Sequence, residues 1–150
     1  MEQKKRLKFK SINLYNKFIG FLTKKGNRTA SKYILDKTLE LVSKKVKKSP
    51  KVILLLLFLK LNVYIEIKKV KIRNRSYTIP FSLPLKRRSY LIIKWILAST
   101  KQNKKKDSFI NRLAFEIVHT LTTSKSKTLL LKKINNSQAF LNRSNSHFRW

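Results

Sequence analysis

Apolar residues recurring at steps of three and four predict two helices in the first third of the chain. The first begins near Ile12, and Gly26 lies where a C-terminal cap is expected. Thr29 is positioned to cap the second helix. Lysines lie opposite both apolar stripes, so each helix has one face available for a core. The stripes consist of Tyr15, Phe18, Ile19 and Leu22, and of Leu35, Leu39, Val42 and Val46.

A third helix is predicted from the run Val52–Leu59, which contains eight consecutive apolar residues. Ser49 followed by Pro50 is a helix-start signal, because a hydroxyl accepts an unpaired amide and proline fits the first helical position. A membrane-spanning helix needs about 20 apolar residues, and Lys60 interrupts this run early. We therefore predict a central helix over about residues 50–61, buried on several sides by other protein helices.

After this helix the apolar period changes from 3.6 to 2, which predicts β-structure. Two alternating runs flank a short polar connector, so a β-hairpin is predicted over about residues 63–84. The alternation slips at Lys68 and Lys69, as a β-bulge would cause. Pro80 and Pro84 restrict the second strand to an edge position. The hairpin is therefore predicted to protrude from the body.

Helical periodicity returns in the last part of the chain. A fourth helix is predicted over about residues 86–99, and Asp107 or Ser108 is expected to cap a fifth. The segment from Thr128 onward is only weakly helical by pattern, because several asparagines dilute it. The predicted buried residues are Leu91, Ile92, Trp95 and Ile96 in the fourth helix, and Ile110, Leu113, Ala114, Ile117, Val118 and Leu121 in the fifth.

Composition makes a polyanion the expected partner. The chain has 150 residues, of which 42% are hydrophobic, and this suits one domain with a modest core. We predict a basic arm over residues 1–11 and a single helical domain over residues 12–150. The 37 lysines and arginines outnumber six acids, giving a formal charge of +31. Nucleic-acid phosphates would supply the counter-charge; an anionic membrane surface is the alternative.

Residues suited to catalysis are few. The absence of cysteine excludes disulfides and thiol nucleophiles. His119 and His147 have no second ligand at metal-binding spacing. The chain has two glycines, too few for a dinucleotide fingerprint or a phosphate-binding loop. We therefore expect no enzymatic activity, no cofactor and no metal site.

Cations concentrate on the arm, on the hairpin and at the start of the fourth helix. They are either solvated surface charges or phosphate ligands. Like charges opposed across two strands destabilise a hairpin, so we expect phosphates to complete it. Tyr77, near the tip, either stacks on a base or fills the strand face. The predicted phosphate-binding residues are Lys4, Lys5, Arg6, Lys8, Lys10, Lys68, Lys69, Lys71, Arg73, Arg75, Arg87 and Arg88.

The order of residues in the hairpin and at the C-terminus carries a family resemblance. Residues 63–70 read VYIEIKKV, residues 77–80 read YTIP, and an Arg-Arg pair at 87–88 precedes Lys-Trp-Ile at 94–96. The chain ends with AFLNR at residues 139–143 and SHFRW at residues 146–150. This order resembles the bacterial-type small-subunit ribosomal protein seven family, with its Tyr-Gln-Val-Pro, Arg-Arg, Arg-Trp and closing His-Tyr-Arg-Trp motifs.

The resemblance begins near Leu14 and has three departures. The family's Asp-Gly-Lys-Lys corresponds to residues 25–28, Lys-Gly-Asn-Arg, with one residue fewer in this region. The family's upstream Asp-Pro motif is absent. The Gly-Gly of the hairpin tip is replaced by Arg73 and Asn74, which adds charge and is expected to change the tip geometry.

The resemblance implies a body of six helices with the hairpin between helices three and four, and it assigns the final segment to a helix. It implies binding to the 3′ major domain of small-subunit rRNA and a role in nucleating head assembly. The hairpin and C-terminal helix would lie near exit-site tRNA and the mRNA path, beside small-subunit protein eleven and other head and platform proteins. It adds Lys24, Lys25, Arg28 and Lys94 as rRNA ligands, and names Arg73, Asn74, Arg75, Tyr77, Arg143 and Arg149 as proximal to tRNA or mRNA.

The N-terminal residues favour synthesis inside an organelle. They contain no apolar segment of the kind found in a secretory signal. About a dozen residues precede the family resemblance, fewer than a typical import signal. Together with residue usage typical of an AT-rich gene, this favours the small ribosomal subunit of the mitochondrial matrix. A plastid or a bacterial cytoplasm is the alternative, as is a DNA- or RNA-binding role outside the ribosome.

Overall fold

A computed structural model describes residues 14–103, 107–123 and 125–149. The described residues form a mainly helical body with one hairpin between the third and fourth helices, which confirms the predicted fold class. The predicted basic arm lies outside the described residues. The elements are α1 (described over residues 14–22), α2 (Arg28–Val46), α3 (Pro50–Leu61), β1 (Ile65–Ile72), β2 (Arg75–Ser82), α4 (Leu85–Gln102), α5 (Phe109–Thr122), α6 (Lys127–Leu141) and the 3-10 helix η1 (Arg143–Phe148).

Helix α5 occupies the centre of the body. It packs against α2, α3, α4 and α6, and its predicted stripe supplies Leu113, Ala114 and Ile117 to the main core. Ser108 caps its N-terminus by accepting a hydrogen bond from the amide of Asn111, at 3.4 Å. The core also contains Phe18, Leu35, Leu39, Val42, Ile53, Leu57, Leu61, Ile92, Ile93 and Ile96.

Helix α3 spans Pro50–Leu61 as expected. It packs against α2, α4 and α5 and buries Ile53, Leu54, Leu57 and Leu61, which agrees with the predicted burial on several sides. The burial is not complete, since Val52 and Leu59 are 42% and 60% exposed, and α5 rather than α3 takes the central position. No helix within the described ranges is long and apolar enough to cross a membrane.

The connection between α1 and α2 differs from the prediction. Helix α1 ends at residue 22, and Gly26 lies in the following turn with φ +77° rather than at the helix cap. Asn27, not Thr29, caps α2 by accepting from the amide of Ala30 at 3.1 Å. Thr29 lies inside the first turn, so its hydroxyl instead donates to the Asn27 Oδ1 atom at 2.8 Å.

Lys60, which interrupts the apolar run of α3, fastens α3 to the end of α5. Its Nζ atom donates to the carbonyl oxygens of Leu121 and Thr123, at 2.8 and 3.2 Å. Lys132 of α6 repeats this arrangement by donating to the Lys60 carbonyl at 2.8 Å, and burial lowers its pKa. Carbonyls at helix C-termini are unpaired and partly negative, so each lysine satisfies a helix end from a neighbouring helix.

Glu116 caps the N-terminus of α6, whereas the two lysines bind carbonyl groups at helix C-termini. It is buried in α5 at 3% exposure. Its Oε1 atom accepts from the amide of Thr128 at 3.1 Å and from the Thr128 hydroxyl at 2.6 Å. Ser126 accepts from the Leu129 amide at 3.2 Å. A carboxylate is favourable at a helix N-terminus, so these contacts determine where α6 begins.

A second, smaller apolar cluster lies where the hairpin joins α4. Val63, Leu83 and Leu91 form its buried centre, and Tyr90 and Trp95 pack against it. The cluster anchors the residues just outside both ends of the hairpin. The hairpin is therefore anchored at its base by buried residues, whereas most residues of its outer half are exposed.

Candidate nucleic-acid interface

The hairpin strands pair without interruption. The register runs from Ile65 opposite Ser82 to Ile72 opposite Arg75, so every residue has one partner and the predicted β-bulge is wrong. In the outer half of the hairpin no residue is fully buried, so the apolar alternation slips while the backbone register stays regular.

The register also removes the like-charge repulsion expected across the hairpin. Each lysine of β1 faces a neutral residue: Lys68 faces Ile79, Lys69 faces Thr78 and Lys71 faces Ser76. The expectation that like charges oppose each other directly is therefore wrong. The strand pairing places no two cations directly opposite each other, and the hairpin presents its cations in a preformed arrangement.

The hairpin tip is a two-residue connection formed by Arg73 and Asn74. Arg73 has φ +52°, in the left-handed region that glycine adopts without penalty. A non-glycine residue there costs about 1–2 kcal/mol. Together with Lys71 and Arg75, which are also exposed, Arg73 places three cations at the end of the hairpin.

Asparagines fasten the C-terminal segment to the hairpin. The Asn135 side chain donates to the carbonyl of Ile65 at 2.8 Å. The Thr78 hydroxyl donates to Asn142, and the Asn145 side chain donates to the Thr78 carbonyl at 3.2 Å. These asparagines weaken the helical pattern of the sequence, and the structure shows that their side chains form hydrogen bonds with the hairpin. Helix α6 confirms the helical assignment to Leu141, after which the chain continues as η1.

An aromatic contact reinforces this junction. The rings of Tyr77 and Phe148 lie 5.0 Å apart with an interplanar angle of 34°. Tyr77 is half-buried, so its ring fills the space between β2 and η1. Of the two alternatives for Tyr77, the structure favours packing over base stacking.

The predicted phosphate ligands fall into three groups. Lys4, Lys5, Arg6, Lys8 and Lys10 lie outside the described residues. Lys24, Lys25 and Arg28 are exposed at the turn between α1 and α2, a different part of the body from the hairpin. The exposed residues of the hairpin, α4 and the C-terminal segment are Lys68, Lys69, Lys71, Arg73, Asn74, Arg75, Arg87, Lys94, Arg143 and Arg149, whereas Arg88 is half-buried.

Several of these cations contact protein groups. Arg87 donates two hydrogen bonds to the Glu66 carboxylate, at 2.9 and 2.7 Å, and its guanidinium lies 4.5 Å from the Tyr90 ring centroid. Lys68 lies 5.1 Å from the Phe81 ring centroid. Arg87 therefore braces the hairpin base against α4, a role that the charge pattern of the sequence did not indicate.

The Glu66–Arg87 pair predicts a pH-dependent contribution to stability. The hydrogen bonds from Arg87 lower the pKa of Glu66. Because its folded pKa lies below the unfolded value of about 4.3, the contribution is present above that pH and is lost as pH falls through the folded pKa. With Arg87 partly exposed, Glu66→Gln is expected to lower the free energy of unfolding by about 1 kcal/mol at pH 7.

Urea unfolding of the wild type and the variant at neutral and acidic pH would measure this difference. The control is Glu40→Gln, since Glu40 makes exposed contacts with Lys37 and Lys44. We expect the Glu66→Gln difference to exceed that of the control at pH 7 and to shrink in acid. An equal difference at every pH would contradict the assignment.

Known proteins resemble the chain over nearly its whole length. The family model described as "Ribosomal protein S7p/S5e" matches residues 2–143. Small ribosomal subunit protein uS7m of Drosophila melanogaster is 24% identical and covers 90% of this chain and 68% of that protein. Protein uS7 of Carsonella ruddii (strain PV) is 27% identical, covering 95% and 98%. Protein uS7m of Reclinomonas americana is 24% identical, covering 100% and 99%.

The family match and the fold support the same assignment. The match extends over both the helical body and the hairpin, and it confirms the resemblance found in the sequence. The chain belongs to the ribosomal protein S7p/S5e family, and the similar proteins named above are proteins of the small ribosomal subunit.

Proposed function

We propose that the chain binds the 3′ major domain of small-subunit rRNA and helps to nucleate assembly of the subunit head. The observation that carries this proposal is the preformed hairpin, whose exposed outer half bears Lys69, Lys71, Arg73 and Arg75. Cations held at fixed spacing bind phosphate oxygens and release counterions. Arg28 at the start of α2 and Lys94 on α4, near Glu66 of the hairpin base, are proposed as further ligands.

The test is the salt dependence of binding to a transcript of the 3′ major domain. Filter binding with the full chain should show affinity falling about 1,000-fold or more between about 50 and 200 mM salt, as expected for six or more phosphate contacts. A transcript of equal length from another rRNA domain serves as the specificity control. A salt-independent affinity, or equal affinity for both transcripts, would contradict the proposal.

The hairpin tip and the C-terminal segment are proposed to lie near exit-site tRNA and the mRNA path. The contacts that Asn135, Asn142 and Asn145 make with Ile65 and Thr78 support this, because they join the hairpin and the C-terminal segment into one unit. On this proposal Arg73, Asn74, Arg75 and Tyr77 at the hairpin, with Arg143 and Arg149 near the C-terminus, form one surface beside small-subunit protein eleven and other head and platform proteins.

Photo-crosslinking in assembled subunits tests this placement. A crosslinker introduced at Asn74 is expected to capture tRNA or mRNA, since Asn74 is exposed at the tip. A crosslinker at Lys48, exposed after α2, is the control and is expected to capture neither. Crosslinks from Lys48 alone would contradict the placement.

The mitochondrial small ribosomal subunit is the proposed location. Two similar proteins, those of D. melanogaster and R. americana, are named uS7m, whereas the C. ruddii relative is a bacterial uS7. Sedimentation of organelle lysates followed by mass spectrometry would decide between a mitochondrial location and a plastid or bacterial one. Recovery of the chain with mitochondrial small subunits supports the proposal; recovery only with plastid or bacterial subunits, or outside ribosomes, would contradict it.

A further inference from the structure

A groove of about 370 Å³ lies between the start of the hairpin and α6. Val63 and Ala139 line it and are buried. Two aromatic residues of the same groove, Tyr64 and Phe140, are 60% and 65% exposed. Large aromatic side chains left in solvent beside a concave surface are typical of a binding site.

An arginine stacks on each of these rings. The Arg88 guanidinium lies 4.4 Å from the Tyr64 ring centroid, and that of Arg143 lies 4.7 Å from the Phe140 ring centroid. Arg88 is held in place by donating from Nε to the carbonyl of Leu83 at 2.9 Å. Arg143 lines the groove, and Arg88 contacts the ring of a lining residue. Flat aromatic and flat cationic surfaces therefore lie together here, and both kinds of surface stack on nucleobases.

Tyr64 is held in position before any ligand arrives. Its hydroxyl accepts a hydrogen bond from the Asn62 side chain at 3.1 Å. Its carbonyl accepts from the Leu83 amide at 2.8 Å, just beyond the two strands. A tyrosine whose hydroxyl and main-chain carbonyl are both hydrogen-bonded loses little conformational entropy when a ligand binds, and this favours affinity.

We infer that this groove binds one unpaired RNA nucleobase, stacked against Tyr64 and Phe140, with the flanking phosphates on Arg88 and Arg143. The groove lies near the lower end of the volume range of small-molecule sites, about 300–1,000 Å³, so it suits a single base. Asn136 also lines the groove and is exposed, and its amide can pair with the edge of a base. The inference rests on the proposed function and adds recognition of unpaired RNA to it.

The charge of the groove favours RNA over a protein partner. An apolar peptide would bury the two arginines without supplying anions, and buried unpaired charges are costly. An RNA strand supplies a planar base for the rings and, on either side of that base, one phosphate for each guanidinium. Binding of a protein segment remains the competing outcome of the test.

The experiment compares a single-stranded oligoadenylate containing one 2-aminopurine with a blunt RNA duplex of equal length. The variant Tyr64→Leu/Phe140→Leu keeps the groove apolar but removes both stacking rings. Stacking contributes about 1–3 kcal/mol per base, so its affinity for the single strand is expected to fall about 10- to 100-fold. Affinity for the duplex and the salt slope should not change.

The matched control is Tyr33→Leu. Tyr33 is equally exposed at 60% but lies on α2, and this variant is expected to bind both RNAs like the wild type. Quenching of 2-aminopurine fluorescence by the wild type, abolished in the double variant, provides a second readout. Thermal melts verify that both variants fold, as expected for exposed positions.

Two results would overturn the inference: no loss of single-strand affinity in the double variant, or an equal loss for single strand and duplex. In either case wild-type binding with a steep salt dependence would leave the proposed function standing. Failure of the wild type to bind any RNA would contradict the proposed function itself.

Discussion

Replacing Lys69, Lys71, Arg73 and Arg75 with glutamine is expected to weaken binding to the 3′ major domain transcript by about 100-fold or more near physiological salt. These residues are exposed on the outer half of the hairpin. Removing one phosphate ligand lowers the slope of log affinity against log salt by about 0.7–0.9. The reduction in slope therefore reports how many phosphates the hairpin neutralises, independently of the absolute affinity.

The matched control removes four cations from another surface, by changing Lys44, Lys45, Lys48 and Lys51 to glutamine. These lysines are exposed at the end of α2 and the start of α3, so net charge falls equally in both variants. Filter binding across a salt series should show a small loss for the control. Equal losses would mean that net charge alone, without the hairpin, determines affinity.

The fold is expected to survive the hairpin substitutions. The two lysines face Thr78 and Ser76 across the strands, and Arg75 faces Ile72, so glutamine removes no ion pair between the strands. The hairpin base is anchored separately by Val63, Leu83 and Leu91. A loss of binding in a protein with an unchanged melting temperature therefore reports on RNA binding by the hairpin.

Glu116→Ala is expected to lower the free energy of unfolding by about 3 kcal/mol. The substitution leaves the amide and hydroxyl of Thr128 buried without their acceptor, and hydrogen bonds to charged groups contribute about 1.5–3 kcal/mol each. A domain of this size is stable by only about 5–15 kcal/mol. Urea unfolding would measure the loss, and α6 should be the most affected helix.

Glu116→Gln is the informative companion variant. It keeps an acceptor oxygen for Thr128 but removes the charge, so a smaller loss of about 1 kcal/mol is expected. Hydrogen exchange should show faster exchange in α6 and η1 for Glu116→Ala, because Glu116 supports the start of the segment that carries Asn142 and Asn145. A loss no larger than that of Glu40→Ala, an exposed site, would contradict this role.

Local patterns predicted the elements well, because they depend on neighbouring residues. The apolar stripe of α5, the Ser49–Pro50 start of α3 and the alternating runs of the hairpin each appear at the expected place. The C-terminal helix required the family resemblance, since Asn135 and Asn142 obscure its period. Both side chains hydrogen-bond to the hairpin.

Contacts between distant parts of the chain were not predictable from local patterns. Glu116 lies outside the predicted apolar stripe of α5 and therefore reads as a solvent-facing residue, and Lys60 reads as the end of a helix. Both are instead caps for other helices. In the same way, the charge pattern led us to predict Arg87 and Arg88 as phosphate ligands. It did not indicate that Glu66 pairs with Arg87 or that the Arg88 guanidinium lies over the Tyr64 ring.

The most direct test of the central claim is a density map of the small ribosomal subunit that is proposed to contain this chain. We expect residues 65–82 as a two-stranded ribbon against the 3′ major domain rRNA, with Lys71, Arg73 and Arg75 within hydrogen-bonding distance of phosphate oxygens. A subunit that lacks the chain, or a hairpin that contacts no RNA, would contradict the account.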